Sequence, residues 1–199
     1  NTITLLADDI DASGEEVLQQ GVDKIANQIK TNQPVFNINK IYLDGYVQQN
    51  ASGGERYPEV NKAITNAMEK GTLVFDYFGH GGEDGFASER ILDVPQIQSF
   101  NNLNTLPLFI TVTCDFSRFD NPNRITAGEL LFKSNSGGAA NMITTTREVF
   151  IFVGQQFNEL LVPILMGFNN EDLSISQGLV RAKNQFVSTQ KFFIYSFGD

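Results

Sequence analysis

The sequence predicts an α/β fold, a three-layer sandwich in which a mainly parallel sheet carries helices on both faces. Three observations predict it. Apolar runs and helical patterns alternate along the whole chain. Two of the runs, 72–78 (TLVFDYF) and 107–113 (PLFITVT), are nearly continuous, as central strands covered on both sides should be. No repeat, low-complexity tract or linker divides the chain, so residues 1–199 read as a single domain.

The elements follow in order. Residues 2–7 (TITLLA) read as a strand. Residues 13–30 read as a helix, with Leu18, Val22, Ile25 and Ile29 on one face and Ser13 and Glu16 as a capping box at its start. Residues 36–43 (FNINKIYL) alternate as a strand with one buried face does. After the glycine-rich loop 48–57, Pro58 opens a second helix. Val60, Ile64 and Ala67/Met68 line one side of it and Gly71 stops it. A further strand lies within 137–146, entered through a glycine turn. Two helices follow, one around Phe157, Leu160, Leu161 and Ile164, the other over about 174–187. Residues 191–197 (KFFIYSF) form the last strand. The chain opens almost directly in a strand and stops just after FFIYSFGD, so the domain is expected to be a fragment of a longer protein.

Composition narrows the function. Seventeen phenylalanines and no tryptophan make Phe the main aromatic of the core. A net charge of −9 argues against nucleic acid, which demands a concentrated basic surface. No stretch approaches the roughly 18 consecutive apolar residues of a membrane-spanning helix, and Asn1 does not open a signal peptide. The single cysteine rules out an internal disulfide and fits either a reducing compartment or a secreted protein with a reactive thiol.

The one histidine, His80, sits among glycines just after the strand-like run 72–78. The one cysteine, Cys114, ends the run 107–113, and Asp8 and Asp9 follow the run 2–7. In open parallel sheets, sites form in the crevice outside the carboxyl ends of the strands, so these residues meet if their strands are parallel neighbours. A cysteine nucleophile needs a proton carrier and oxyanion donors. His80 can carry the proton, the amides of Gly81 and Cys114 can bind the oxyanion, and an acid such as Asp9 can hold the imidazole. Taken singly, each residue has a plainer reading. A lone strand cysteine is usually a small apolar side chain, and Gly81-Gly82 can simply make a turn. Their joint placement favours chemistry.

Other sites fare worse. The chain holds no G-x-S-x-G, Walker loop or G-x-G-x-x-G, and no cofactor is expected. One His and one Cys cannot build a zinc site, and no metal is expected. Residues 9–20 partly mimic a calcium loop through Asp9, Asp11, Ser13 and Gly14. The twelfth position is Gln20 rather than Glu, and a strand precedes it, so a capped helix start explains them better. The Asn50-Ala51-Ser52 sequon lies in a short polar loop.

Residues 77–92 (YFGHGGEDGFASERIL), followed by Cys114 in 108–119 (LFITVTCDFSRF), resemble the gingipain-type cysteine peptidases, which share the caspase-like fold. Residues 127–148 look like that family's Gly-Glu helix and following strand, 174–186 like its late helix, and 197–199 like the start of its closing Gly-Asp-Pro. The resemblance implies a cysteine peptidase with Cys114 as nucleophile, His80 as general acid/base and Asp9 as the acidic third member, Asp8 being adjacent. It implies oxyanion amides at Gly81 and Cys114, and a substrate pocket at Thr144, Thr145, Thr146 and Arg147, whose chemistry argues against a basic-residue preference. The likeness runs toward the sortases of bacterial type IX secretion. That implies a cell-surface or outer-membrane enzyme that cleaves C-terminal sorting domains from protein cargo. Other secretion components and an amine of anionic lipopolysaccharide would then be partners. A non-catalytic docking or scaffold domain of the same fold is the alternative.

Overall fold

Six of the apolar runs pair into one sheet in the computed structural model, which describes residues 1–168 and 170–198. They are β1 (Thr2–Ala7), β2 (Asn37–Tyr42), β3 (Val74–Phe78), β4 (Leu108–Thr111), β5 (Asn141–Thr145) and β6 (Ile194–Phe197). The spatial order is β6-β5-β4-β3-β1-β2, and every pair is parallel except β5 with β6. Asp199, the last residue of the closing Phe-Gly-Asp, lies outside the described residues.

The helices divide between the two faces according to which side of β1 they meet. Successive strand residues point to opposite faces. Ile3, Leu5 and Ala7 therefore pack with α1 (Glu16–Asn32), α5 (Ile151–Leu165) and α6 (Ile175–Gln185) through Val22, Ile25, Ile29, Phe157, Leu161 and Leu179. Leu6 and Ile41 face the other core, with α2 (Pro58–Lys70), α3 (Val94–Ser99) and α4 (Ala127–Lys133) supplying Val60, Ile64, Met68, Ile97 and Leu131. This is the three-layer arrangement expected from the alternating pattern.

Helix starts follow local chemistry with one correction. Pro58 opens α2 and Gly71, at φ 92°, ends it. Capping boxes form at Thr126/Glu129 and Ser174/Gln177. The box expected at Ser13/Glu16 does not form, because α1 begins at Glu16 with Glu15 as its N-cap. Glu15 instead folds back to accept the amides of Asp11 and Ala12, both at 2.9 Å.

Phenylalanine does the packing that ties the loops above the sheet to the sheet itself. Phe86 stacks on Tyr77 of β3 at 4.0 Å between ring centroids, and Phe116 lies 4.6 Å from Phe86. Phe75 and Phe109 stack across β3 and β4 at 4.9 Å. The loops after β3 and β4 are thereby fastened to each other. A small antiparallel sheet of Gly81–Gly82, Gly85–Phe86 and Leu92–Asp93 orders the first of them. Gly85 is required there, since a Cβ would lie 1.9 Å from the Leu92 carbonyl oxygen.

One buried charge in this framework has a measurable consequence. Asp76 of β3 is wholly buried and accepts a 2.7 Å hydrogen bond from Asn158 of α5. Burial pushes its carboxyl up to about 7, against the opposing bond from Asn158. Between the ordinary aspartate value of about 3.9 and about 7, the folded chain keeps a proton that the unfolded chain has released. This contribution to stability is therefore complete at low pH and is lost as pH rises through about 7. Asp76→Asn keeps a neutral partner for Asn158. Its melting temperature is expected to exceed the wild type's at pH 8, by the equivalent of a few kcal/mol at most, and to converge on it below about pH 4. A variant no more stable than wild type at pH 8 contradicts the assignment.

Candidate active site

The chain leaves β1 to form β2 on one side of it and returns to form β3 on the other, so the sheet order reverses between β1 and β3. A crevice opens at such a switch point, outside the carboxyl ends of the strands. Asp8 and Asp9 leave β1 there, and His80 follows β3. Cys114 follows β4, the next strand over.

The backbone of residue 80 is held at both ends. Its N–H donates to Asp8 Oδ2 at 2.8 Å, and its carbonyl accepts from the Tyr77 hydroxyl at 2.8 Å and from the Ala87 amide at 3.0 Å. Gly79 allows this close bend, because a Cβ there would sit 2.2 Å from the Tyr77 hydroxyl oxygen. The imidazole is half exposed, and its Nε2 lies 3.1 Å from Oε1 of Glu15, whose side chain is only 13% exposed. Burial pushes the Glu15 carboxyl up. Its hydrogen bonds with His80, Ala12 and Asp11 more than offset that and leave it below the ordinary glutamate range.

The register brings Cys114 beside this loop. Tyr77 of β3 pairs with Thr111 of β4, and two residues on, the Thr113 hydroxyl donates to the Gly79 carbonyl at 2.7 Å. His80 and Cys114 come next, just beyond the ends of β3 and β4. The Cys114 thiol is half buried and donates to the Val149 carbonyl at 3.6 Å. Burial pushes its pKa up, and the carboxylates of Glu148 and Asp115 push it further, so the resting group is a neutral thiol. The chain turns at once into the left-handed region at Asp115 (φ 51°), a conformation that costs energy outside glycine and recurs at functional turns. Among the described residues the Cys114 amide has no acceptor, whereas that of Asp115 reaches the Arg147 carbonyl at 3.4 Å. Gly81 lies against Thr113, where a Cβ would come within 2.8 Å of that side chain. The loops after β3 and β4 are thus close-packed at Gly81 and Thr113, one residue before the thiol.

The acids fall differently from the sequence expectation. The Asp9 carboxylate accepts the Tyr57 hydroxyl at 2.9 Å and is buried, and the group that meets the imidazole is Glu15. Asp8 holds the backbone of His80 rather than its ring. Burial pushes the Asp8 carboxyl up to about 7, the His80 amide opposes this, and the charge on Asp9 adds to the rise. The expected pocket residues are also placed otherwise. Thr144, Thr145 and Thr146 are buried at the end of β5, not open to a substrate. The hydroxyls of the last two bond the carbonyls of Thr113 and Phe193. Arg147 is exposed but paired with Asp120 at 2.9 Å. The space beside the thiol loop is instead a cleft of about 690 Å³ between Asp115, the Gly82–Ala87 hairpin, Pro95 and Arg124.

Sequence reasoning missed Glu15, Tyr57, Tyr77 and Val149. Only Glu15 left a signal, a doubled acid at a helix start facing the crevice, and the capping pattern with Ser13 drew attention to its neighbour Glu16.

Comparison with known proteins gives the family and the fold. The model of Peptidase family C25 matches residues 1–199. The fold is similar to the crystal structure of the Arg-specific cysteine proteinase gingipain R, with a TM-score of 0.78 at 19% identity, covering 100% of this chain and 46% of that one. The complex of Porphyromonas gingivalis RgpB pro- and mature domains matches with a TM-score of 0.75 at 18% identity, over 100% and 47%. The Saccharomyces cerevisiae separase–securin complex matches at 0.60 and 14%, over 100% and 12%. No curated protein matches. The chain therefore spans less than half the length of the gingipain chains it resembles, and at these identities the likeness is one of fold, the caspase-like α/β sandwich.

Proposed function

Because the chain belongs to peptidase family C25, we propose that it is the catalytic domain of a cysteine peptidase acting as a sortase, resembling PorU of the bacterial type IX secretion system. The observation that carries the peptidase reading is the placement of His80 and Cys114 on adjacent strand ends, linked by the Thr113–Gly79 hydrogen bond. The sortase role rests on the resemblance of the His and Cys segments.

The chemistry is acyl transfer. His80 takes the thiol proton as Cys114 Sγ attacks the substrate carbonyl, and the developing oxyanion lies at the Cys114 and Gly81 amides. His80 then gives the proton to the departing nitrogen as the C–N bond breaks, which leaves a thioester and frees the sorting domain. Water resolves the thioester to an acid, or an amine of anionic lipopolysaccharide resolves it to a new amide. Such an enzyme works at the cell surface, on the outer membrane. Among the described residues no helix is long and apolar enough to cross a membrane.

The scaffold reading draws on one observation, the neutral thiol resting on the Val149 carbonyl. The test is incubation with a cargo protein bearing a C-terminal sorting domain, with and without an amine acceptor, followed by intact mass. Release of the domain with an acceptor-dependent mass gain on the cargo is expected. Release with water addition only would make the domain a hydrolase. No release, with no acyl-enzyme in a folded sample, would favour the scaffold.

A further inference from the structure

The hairpin turn after His80 carries two acids with opposite surroundings. Glu83 and Asp84 join the short strands Gly81–Gly82 and Gly85–Phe86. The Asp84 side chain is 79% exposed, whereas that of Glu83 is only 14% exposed. The groups around the Glu83 carboxylate come from the stretch that follows Cys114. Asn121 Nδ2 donates to both of its oxygens, at 3.0 and 2.9 Å. Arg118 Nη1 lies 3.5 Å from Oε1, and Arg124 Nε lies 3.2 Å from Oε2. The Glu83 carbonyl accepts the amide of Ala127, the first residue of α4, at 2.7 Å.

These contacts close a short path between the two amides assigned to the oxyanion. Glu83 stands two residues after Gly81. On the other side, the Arg118 amide donates to the Asp115 carbonyl and the Asn121 amide to the Arg118 carbonyl, both at 3.1 Å. The turn that directly follows Cys114 therefore hangs from the Glu83 carboxylate. The Phe86–Phe116 contact also joins the two loops, but apolar packing is largely non-directional. A carboxylate bonded through both oxygens fixes distance and angle as well. It suits this position because it only accepts, and its partners here are all N–H donors. An amide in its place would turn its own NH2 toward one of them.

We propose that Glu83 is a positioning residue for acyl transfer, a clamp that sets the Gly81 and Cys114 amides relative to each other and so shapes the oxyanion site. The proposal rests on the acyl-transfer reading above. Among the described residues Glu83 bonds neither the imidazole nor the thiol, so its contribution passes through the backbone. Misplacing a reacting geometry by about 1 Å costs about 10²-fold in rate, and losing an oxyanion donor outright costs about 10²–10³.

The test compares two small reagents on the whole chain. p-Nitrophenyl acetate acetylates Cys114 through a tetrahedral oxyanion: the S–C bond forms, the ester C–O bond breaks and the thiol proton leaves with p-nitrophenol. Iodoacetamide alkylates the same thiol by displacing iodide, and no oxyanion forms. Both rates are read at Cys114 by peptide mass mapping in wild type and Glu83→Gln, with thermal unfolding as the check on the fold. Acetylation is expected to slow about tenfold to a hundredfold in the variant, while alkylation keeps the wild-type rate. Equal acetylation in the two proteins overturns the proposal. So does a parallel loss of both reactions, which would make Glu83 a support of the fold alone. A wild type that is alkylated but never acetylated removes the acyl-transfer reading itself, and this proposal with it. Should Glu83→Gln fail to fold, Asn121→Ser removes both amide bonds to the carboxylate, and the same pair of rates decides.

Discussion

Cys114→Ala abolishes acyl-enzyme formation and leaves the fold intact. The expectation on the fold comes from the packing. Cys114 lies past the end of β4, half buried, and its side chain makes one weak hydrogen bond to the Val149 carbonyl. The Phe86–Phe116 contact and the Thr113–Gly79 bond, which hold the loops together, do not pass through the sulfur. Removing it should cost about 1 kcal/mol or less, the range of a small side chain outside the core. The expectation on chemistry is total, because no other thiol exists in the chain. Intact mass after incubation with a peptidyl thiol-directed probe reads the first outcome and thermal unfolding the second. An alanine variant that still accumulates a covalent acyl-enzyme, with an unchanged melting temperature, would move the nucleophile to another side chain.

How much of this was legible in the sequence depended on the range of each signal. The strand Thr2–Ala7 was read to the residue, because a six-residue apolar run between polar flanks carries its own limits. Val74–Phe78 and Leu108–Thr111 were read as central strands for the same reason, and their buried residues on both faces bear this out. That His80 and Cys114 end neighbouring strands followed from the fold, since parallel strands put all their carboxyl ends at one edge. What stayed hidden were the pairings of side chains across long separations. Glu15 meets His80 across 65 residues, and Tyr57 meets Asp9 across 48. Periodicity reports which face a residue occupies, never which partner stands there. The antiparallel direction of Ile194–Phe197 was equally invisible, because alternation reads the same in either sense. The threonines at 144–146 show the converse limit. Their position at a strand end beside the site was legible, but all three are buried, and the hydroxyls of Thr145 and Thr146 are spent on backbone carbonyls.

His80→Ala should lower kcat/KM for peptide cleavage by about 10²–10⁴, the usual contribution of a positioned acid/base. The structure gives two reasons to read such a loss as chemical. All three hydrogen bonds that fix residue 80 use its backbone, to Asp8, Tyr77 and Ala87, so the loop stays anchored when the ring is removed. The thiol, moreover, is held neutral by burial and by the nearby carboxylates of Glu148 and Asp115, so it depends on a base to react at neutral pH. A peptidyl probe should therefore lose its reaction with the variant. A small neutral alkylating reagent at high pH should label wild type and variant alike, because the thiolate then forms unaided. Equal peptidyl labelling in both proteins would show that the imidazole plays no part. The same assay separates the two candidate acids. Glu15→Gln keeps an acceptor within reach of Nε2 but removes the charge that stabilises an imidazolium as it forms, so it should lose activity in the direction of His80→Ala and by less. Asp9→Asn keeps the Tyr57 bond and should change little. If the order is reversed, with Asp9→Asn the more damaging, the imidazole must swing from Glu15 toward the β1 terminus when substrate binds, and the resting contact is only where the ring waits.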